Sequence, residues 1–420
     1  MISNPLSRAN ILLGVTGSIA AYKAADLASK LTQEGALVNA ILTEAAIRFI
    51  SPLTFQSVTG QPAYTDADLW GAQAHVLHVG LAHQADMLLI APATAHTIAK
   101  LARGSADDLL SLTALALGSE ENGPPLLIAP AMDAGMFNHA ATQGNLRILR
   151  ERGAIIIGPE EGRLASGLVA MGRMSELLEI LGHARYLLAR NGPLRGRRVV
   201  VTAGGTQEPI DPVRFVSNRS SGRQGFALTQ AALDAGAQVT LISGPTHLPP
   251  PVGAEYIGLR TAEEMRAAVL AACQSADVLV MAAAVADFRP AQPSDQKIKK
   301  TGGAPAIELT PAPDILAAVK DQRAELGRPK VVIGFAAETR DLLANAQIKL
   351  QAKGLDMIAA NDVSASDAGF TVDTNRVTLL HADGRKEELP LMSKAEVAAE
   401  IIERVIPLAK MGGARGVCNH

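Results

Sequence analysis

Apolar residues in this chain come in short runs set between longer stretches of helical spacing. The first run, Ile11–Val15, reads as a buried strand, and a turn of small residues, Thr16-Gly17-Ser18, follows it. From Ile19 to Glu34 the apolar positions Ala24, Leu27 and Leu31 recur at helical spacing. Gly35 then supplies the stop that glycine gives at a helix C-terminus. Leu37–Leu42 is the next strand. Further strands are expected at Asp86–Ala91, Pro125–Pro130 and Ala154–Ile157, with helical segments between them. Strand, helix, strand in this order predicts a parallel sheet, which binds ligands beyond the strand C-termini.

Between Arg190 and Arg198 the pattern breaks into glycine, proline and arginine, which marks a domain boundary. The same grammar then restarts. Val199–Thr202 is a strand, Ala203–Arg223 a long polar loop, Gln224–Asp234 a helix, and Gln238–Ile242 the second strand. Strands follow at Val278–Met281, Lys330–Ile333 and Asp356–Ala359, and Arg376–Leu380 reads as a late hairpin strand. Thr261 precedes Glu264 by three residues and Ser393 precedes Glu396 likewise, both capping-box spacings. The fold class is therefore α/β, as two Rossmann-like domains with mostly parallel sheets. The first is expected over residues 1–191 and the second over 192–410, with a tail at 411–420.

Composition narrows the functions. The 420 residues are 48% hydrophobic and 19% charged, with a net charge of -2. That balance argues against a general nucleic-acid binder, and the 3% aromatic content gives no stacking platform. No apolar run approaches the roughly 18 residues of a membrane span, and the start lacks a signal-peptide pattern. Only Cys273 and Cys418 are present, which excludes a disulfide scaffold and fits a reducing cytoplasm.

Candidate chemistry sits at the expected strand ends. Gly17-Ser18 lies where a strand turns into a helix, a place for a phosphate or simply a tight turn. Ala91-Pro-Ala-Thr-Ala-His-Thr97 and Pro130-Ala-Met-Asp-Ala-Gly-Met136 follow two further strands. His75 and His78 stand at i, i+3, and each taken alone reads more readily as an ordinary packed or surface histidine than as a catalyst. Gly162–Met174 is glycine-punctuated, either a linker or an active-site flap. In the second half, the Ser220-Ser-Gly222 end of the long loop faces a helix start. Lys297, Lys299 and Lys300 make a basic loop, and Lys349 and Lys353 lie one helical turn apart. A short charge run is usually a solvated face, but two lysine clusters in one small domain of a near-neutral protein raise the odds of a polyphosphate ligand.

The first-half motifs Gly17-Ser-Ile-Ala-Ala-Tyr-Lys23, Ala91-Pro-Ala-Thr-Ala95, Pro130-Ala-Met132 with Met136, and Gly172-Arg-Met174 resemble the flavin-dependent cysteine decarboxylases, and among them the 4'-phosphopantothenoylcysteine decarboxylases. The resemblance implies a flavodoxin-like domain with FMN bound by Gly17, Ser18, Thr43, Pro92, Ala93 and Thr94. It implies a catalytic histidine in a His-x-x-Leu context, which His78 has and His75 lacks. It also implies substrate contacts from Asp133, Met136 and Arg173. Two departures stand out. The family commonly has asparagine where this chain has Asp133, and a proton-donating cysteine where it has Ser166. Between a thiol's pKa near 8.5 and water's 15.7 as a stand-in for a hydroxyl the gap is about 7 units, roughly 10 kcal/mol for full transfer. Ser166 is therefore expected either to relay a proton from another acid or to mark an altered step.

From about Arg197 to Ile406 the chain resembles the phosphopantothenate–cysteine ligases. The carriers are Ser217-Asn-Arg-Ser-Ser-Gly222, Ala282-Ala-Ala-Val-Ala-Asp287, Lys297-Ile-Lys-Lys300, Pro313-Asp-Ile315, Gly334-Phe-Ala-Ala-Glu-Thr339 and Ala360-Asn-Asp362. Decarboxylase then ligase on one chain is the order of the bacterial bifunctional coenzyme A biosynthesis family. That resemblance implies Asn218 as the acyl-cytidylate-binding residue and Lys297 as the flexible-loop lysine. It implies CTP contacts from Met281, Ala282, Ala283, Asp287, Lys297, Pro313, Asp314, Ile315, Leu316, Phe335, Lys349 and Lys353. Mg²⁺ would be held mainly by the triphosphate, with Asp287 as the candidate protein ligand. The implied partners are small molecules (4'-phosphopantothenate, cysteine, CTP), with no nucleic acid and no membrane. The implied assembly is a homo-oligomer, with decarboxylase trimers and ligase dimers combining into a dodecamer. Three rivals stay open: an active ligase with an altered flavoprotein domain, a flavoprotein scaffold, and a pyridine-nucleotide oxidoreductase, the last lacking Gly-x-Gly-x-x-Gly.

Overall fold

In the computed structural model the first apolar run becomes strand β1 (Asn10–Val15). Its side chains alternate between two cores: Ile11, Leu13 and Val15 pack on one face and Leu12 on the other. The described residues are 4–70, 76–118, 123–299, 306–338, 341–362 and 374–411. His75, Lys300, Thr339, Cys418 and the tail from 412 lie outside them.

Around β1 lie β2 (Leu37–Leu42), β3 (Ala63–Tyr64), β4 (Met87–Ala93), β5 (Leu126–Pro130) and β6 (Ile155–Ile156). The sheet order is β3-β2-β1-β4-β5-β6 and every pair is parallel. All of β4 is buried, as a central strand covered on both faces requires. The helix Ala21–Gln33 buries Ala21, Ala24, Leu27, Ala28 and Leu31, a stripe at spacings of three and four. Each leucine so buried is worth roughly 1.5–3 kcal/mol. The helix starts at Ala21 and not at Ile19. The Ser18 amide turns back onto the Thr16 carbonyl, and the Ser18 hydroxyl accepts from the Ala20 amide. Gly35 leaves the helix at φ +93°. The glycine-punctuated segment forms an antiparallel hairpin, β7 (Glu160–Arg163) with β8 (Val169–Arg173).

The second unit repeats the plan. It begins with β9 (Arg198–Ala203). The stretch expected as one long loop instead holds a small hairpin, β10 (Gln207–Pro209) with β11 (Phe215–Ser217). Then come β12 (Gln238–Ser243), β13 (Ala254–Gly258) and β14 (Val278–Met281). A second small hairpin, β15 (Phe288–Pro290) with β16 (Leu309–Pro311), precedes β17 (Val331–Glu338) and β18 (Met357–Asp362). Short β19 (Thr374–Asn375) leads to β20 (Val377–His381) and β21 (Lys386–Glu388).

The main sheet runs β13-β12-β9-β14-β17-β18-β20-β21, parallel as far as β18 and antiparallel beyond. Taken in chain order, its parallel strands reproduce the order of the first sheet. Val199, Val201 and Ala203 face one core and Val200 the other, so this sheet too is covered on both sides. Both capping boxes form: Thr261 with Glu264, and Ser393 with Glu396. The chain divides into two compact units between Leu188 and Ala189. Among the described residues no helix is long and apolar enough to cross a membrane.

Candidate functional site

Each sheet reverses its strand order at its first strand, and the crevice beyond the strand C-termini at such a point is where open α/β sheets take ligands. In the first unit this point lies between β1 and β4. Thr16, which is buried, donates its hydroxyl proton to the Pro92 carbonyl at 2.7 Å and accepts from the Thr94 amide at 3.0 Å. One side chain thus locks the two expected phosphate loops together. Gly17 follows directly. A Cβ added there would stand 2.4 Å from the Ala45 Cβ, so the backbone runs where no side chain fits. Ser18 is half-buried, and the adjoining helix Ala21–Gln33 has no side-chain cap. Thr43 directly follows β2, its amide donating to the Val15 carbonyl. Pro92 and Ala93 are buried, and Thr94 caps the helix Ala95–Arg103. Gly17, Ser18, Thr43 and Pro92–Thr94 therefore share one sheet edge.

His78 is half-buried in the first turn of the helix Leu77–Gln84. Asp133 follows β5 and caps the short helix Ala134–Asn138 through a 3.0 Å bond from the Gly135 amide to Oδ1. Its other oxygen accepts the Ser166 hydroxyl at 2.8 Å. These two bonds hold the Asp133 carboxyl below the usual carboxylate range, Ser166 having the larger effect. Ser166 sits at the exposed tip of the β7–β8 hairpin. Gly172 of β8 lies so close to Met132 that an added Cβ would meet its carbonyl oxygen at 2.2 Å. The Met132 amide bonds the Gly172 carbonyl at 3.0 Å, fastening the hairpin to the Asp133 turn. Met136 is exposed. Arg173 pairs with Glu160 at 2.7 Å and Glu176 at 2.8 Å, so its charge is already compensated.

In the second unit the switch point lies between β9 and β14. Thr202 and Thr206, both fully buried, accept the Ala283 and Ala286 amides at 3.1 and 3.0 Å, and the Ala284 amide bonds the Gly204 carbonyl. The two post-strand segments are thereby held side by side. They open onto a cavity of 980 Å³. Its lining includes Asn218, Met281, Ala282, Ala283, Asp287, Pro313, Asp314, Ile315, Leu316, Phe335, Lys349 and Lys353. Asn218 is oriented by a 2.9 Å bond from its amide to the Val285 carbonyl, and Lys349 donates to the Phe335 carbonyl at 2.9 Å. Lys353 pairs with Asp314, which caps the helix Ile315–Leu326. Burial acts to raise the Asp314 carboxyl, but the Lys353 ammonium and the Ala317 amide outweigh it and the net shift is downward.

Lys297 does not line this cavity and is exposed. Its neighbour Ile298 is anchored at both backbone groups. Arg214 donates to its carbonyl at 2.8 Å, and its amide donates to Asp211 at 3.1 Å. Asp211 is buried, and the Arg214 guanidinium holds its carboxyl well below the usual range. Among the described residues no three His, Cys, Asp or Glu side chains gather as a metal cage, and Asp287 is exposed.

Residues 2–185 match the family described as Flavoprotein, and residues 194–408 match the DNA/pantothenate metabolism flavoprotein C-terminal domain. The coenzyme A biosynthesis bifunctional protein CoaBC of Bacillus subtilis is 45% identical over 98% of this chain and 100% of its own length. That of Mycobacterium tuberculosis is 44% identical over 94% of this chain and 96% of its own. A crystal structure of the C-terminal domain of a CoaBC is 38% identical, covers 52% of this chain and 99% of that one, and superposes with a TM-score of 0.44. The chain belongs to the bifunctional coenzyme A biosynthesis family.

As a member of that family it is an enzyme with a decarboxylase and a ligase on one chain, a flavoprotein domain preceding the ligase domain. Several residues escape a reading of family motifs alone. Thr16, Thr202 and Thr206 carry the strand junctions; the repeated Val15-Thr16 and Val201-Thr202, each ending a strand, were the available signal. Asn345, Asn361, Asn375 and Lys394 also line the ligase cavity. Asn361 follows the alanines of β18, within the Ala360-Asn-Asp362 motif. Asn375 and Lys394 come from distant segments, and no local pattern links them.

Proposed function

We propose that the enzyme first joins cysteine to 4'-phosphopantothenate at the expense of CTP and then decarboxylates the product to 4'-phosphopantetheine. In the ligase unit the phosphopantothenate carboxylate attacks the α-phosphate of CTP, pyrophosphate leaves, and an acyl-cytidylate forms. The cysteine amine then attacks the activated carbonyl and CMP leaves. Electrostatic stabilisation of the phosphates dominates such chemistry. Lys349, Lys353 and the loop residue Lys297 supply the cations, and Asn218 holds the acyl-cytidylate. The main chain of 281–283, the Pro313–Leu316 turn and Phe335 seat the nucleotide. Mg²⁺ would bridge triphosphate oxygens with Asp287 as its protein contact. The helix Arg223–Asp234 begins at Gly222 without a side-chain cap, which suits it to a phosphate.

FMN fits the first unit: the loop after β1 carries no side chain at Gly17, where its main chain runs close against Ala45, and the adjoining helix start has no side-chain cap. Gly17, Ser18, Thr43 and Pro92–Thr94 would hold it. When bound it supplies a two-electron couple, drawing electrons from the substrate thiol so that the carboxylate can leave, and returning them afterwards. His78 would hold or move a proton at the thiol, Asp133 and Met136 would orient the substrate end, and the β7–β8 hairpin would exclude water. Arg173, paired as it is, would set the hairpin's base. Homo-oligomers formed through each unit belong to the same reading, and exposed Ile19, Tyr22, Phe49 and Leu53 in the first unit are suited to burial between copies.

The observation that carries this reading is the relatedness across both units, end to end. Incubation of the purified protein with 4'-phosphopantothenate, cysteine and CTP, with products followed by mass, tests it. No CTP-dependent product sinks the ligase. Accumulation of phosphopantothenoylcysteine favours the second reading, an active ligase with an altered flavoprotein unit, to which Asp133 and Ser166 point.

A further inference from the structure

The two positions at which the first unit departs from its family touch each other. Ser166 and Asp133 are far apart in sequence, yet the Ser166 hydroxyl donates to Asp133 Oδ2 at 2.8 Å. The contact is built rather than incidental. The hairpin tip is closed by a 2.8 Å bond from the Leu164 amide to the Leu168 carbonyl and a 2.9 Å bond from the Gly167 amide to the Leu164 carbonyl. Its second strand is fastened to Met132, beside Asp133, by the close approach of Gly172. The influences on Asp133 are the Ser166 hydroxyl, the Gly135 amide and slight burial. Arg173, on the second strand of the hairpin, is taken by Glu160 and Glu176. Among the described residues no positive side chain is counted among the influences on Asp133, so a second carboxylate arriving beside it would meet an uncompensated negative charge.

We propose that Asp133 and Ser166 together take the place of one acidic thiol: Asp133 binds a proton when the substrate carboxylate arrives, and Ser166 passes that proton to the substrate carbon after carbon dioxide leaves. This rests on the decarboxylase reading above. Two carboxylates in contact cannot both stay ionised, so they share one proton taken from solvent. In the substrate whose thiol carbon has been oxidised to the thioaldehyde level, the carbon–carbon bond then breaks, and its electron pair moves toward the sulfur, leaving an enethiolate. Neutral Asp133 now donates to Ser166, reversing the bond seen here. As the Ser166 O–H bond breaks and the new C–H bond forms, the Asp133 proton moves to the Ser166 oxygen. Ser166 never carries charge, so the high pKa of its hydroxyl does not enter. Asp133 ends ionised with Ser166 donating to it, as in this structure. The balance closes, because replacing a carboxylate by hydrogen with release of carbon dioxide consumes one proton.

Asp133 acts through Ser166, so its test needs a readout that a structural role would not move. Asparagine caps a helix as well as aspartate does, so Asp133→Asn keeps the turn. The first measurement uses the flavin-loaded full chain and 4'-phosphopantothenoylserine, whose hydroxyl replaces the oxidisable thiol. Calorimetry in buffers of different ionisation heat should show wild type taking up about one proton more than Asp133→Asn. The second uses phosphopantothenoylcysteine and product masses. Asp133→Asn and Ser166→Ala should both release carbon dioxide but form the saturated thiol roughly 100-fold more slowly, accumulating the enethiol that is lighter by two hydrogens. Asp133→Asn combined with Ser166→Cys should restore the saturated thiol, since a thiol is its own acid. Equal proton uptake by wild type and Asp133→Asn, or saturated product from Asp133→Asn at the wild-type rate, overturns the proposal. Release of no carbon dioxide by wild type overturns the decarboxylase reading instead, and the calorimetric result distinguishes the two failures.

Discussion

At the switch point of the first sheet one buried hydroxyl, Thr16, ties β1 to β4, and the hairpin cation Arg173 is already paired with Glu160 and Glu176. At the same point of the second sheet two buried hydroxyls and a main-chain bridge hold β9 to β14, and the 980 Å³ cavity beyond collects lysines from two segments. The strand order is the same in both units, so the difference lies in what the loops carry. A reaction that moves electrons and one proton needs shape, a dry flap and a proton source. A reaction on a triphosphate needs fixed cations. On the proposed function one scaffold would serve both, because the sheet edge presents loops without dictating their charge.

The largest break in this contrast should come from Gly17→Val. A Cβ there already overlaps Ala45 at 2.4 Å, so the loop after β1 must move. The purified variant should lose bound flavin and all decarboxylation while ligating at the wild-type rate. A variant that retains a full flavin spectrum would remove Gly17 from the cradle. The mirror experiment is Lys297→Gln. Loss of one cation from phosphate chemistry should slow ligation about 100-fold and leave the flavin spectrum unchanged. Ligation at the wild-type rate would show that this loop does not close on the nucleotide.

How far the sequence carried these assignments depends on the kind of contact. Strands and helices of the two sheets follow from alternation and helical spacing, as in Ala24, Leu27 and Leu31, because burial is a local pattern there. The capping boxes at Thr261 and Ser393 were equally local. The segment after β9 was not: its hairpin is held by Ser217 reaching the Thr206 carbonyl at 2.7 Å, and by bonds to segments far along the chain. The Asp133–Ser166 bond was invisible for the same reason. Each residue looked like a separate departure until the hairpin folded back on Met132. Most of the cavity residues were legible only through family motifs, since nothing local ties Phe335 to Lys349 or Asp314 to Lys353.

A smaller effect is expected where the second unit positions its loop. Asp211 holds Ile298, next to Lys297, and is itself held by Arg214. Asp211→Asn keeps the shape but weakens the clamp, and ligation should fall roughly tenfold, chiefly through KM. The carboxyl is depressed in the folded protein, so its contribution is fully present above the ordinary carboxylate range near pH 4 and is lost only as the pH falls below it. Between pH 6 and pH 8 the wild-type clamp should therefore show no titration, and a titration there would mean that Asp211 is not ionised in the fold.

The smallest effect tests whether the second unit's frame is separable from its chemistry. Thr261 accepts the Glu264 amide at 3.2 Å, and Glu264 returns bonds to the Thr261 and Arg260 amides at 2.9 and 2.7 Å. These close the first turn of the helix Ala262–Cys273, which contributes no residue to the cavity lining and ends in Cys273, a thiol that burial pushes up to about 12. Thr261→Ala should cost about 1 kcal/mol, seen as roughly fivefold faster amide exchange in that turn. Ligation and flavin binding should both stay at wild type. If ligation falls with the cap, the helix start is coupled to the site through Glu208, which accepts the Ala262 amide at 2.8 Å beside the β10–β11 hairpin. The contrast between frame and loops would then have to be drawn one layer deeper.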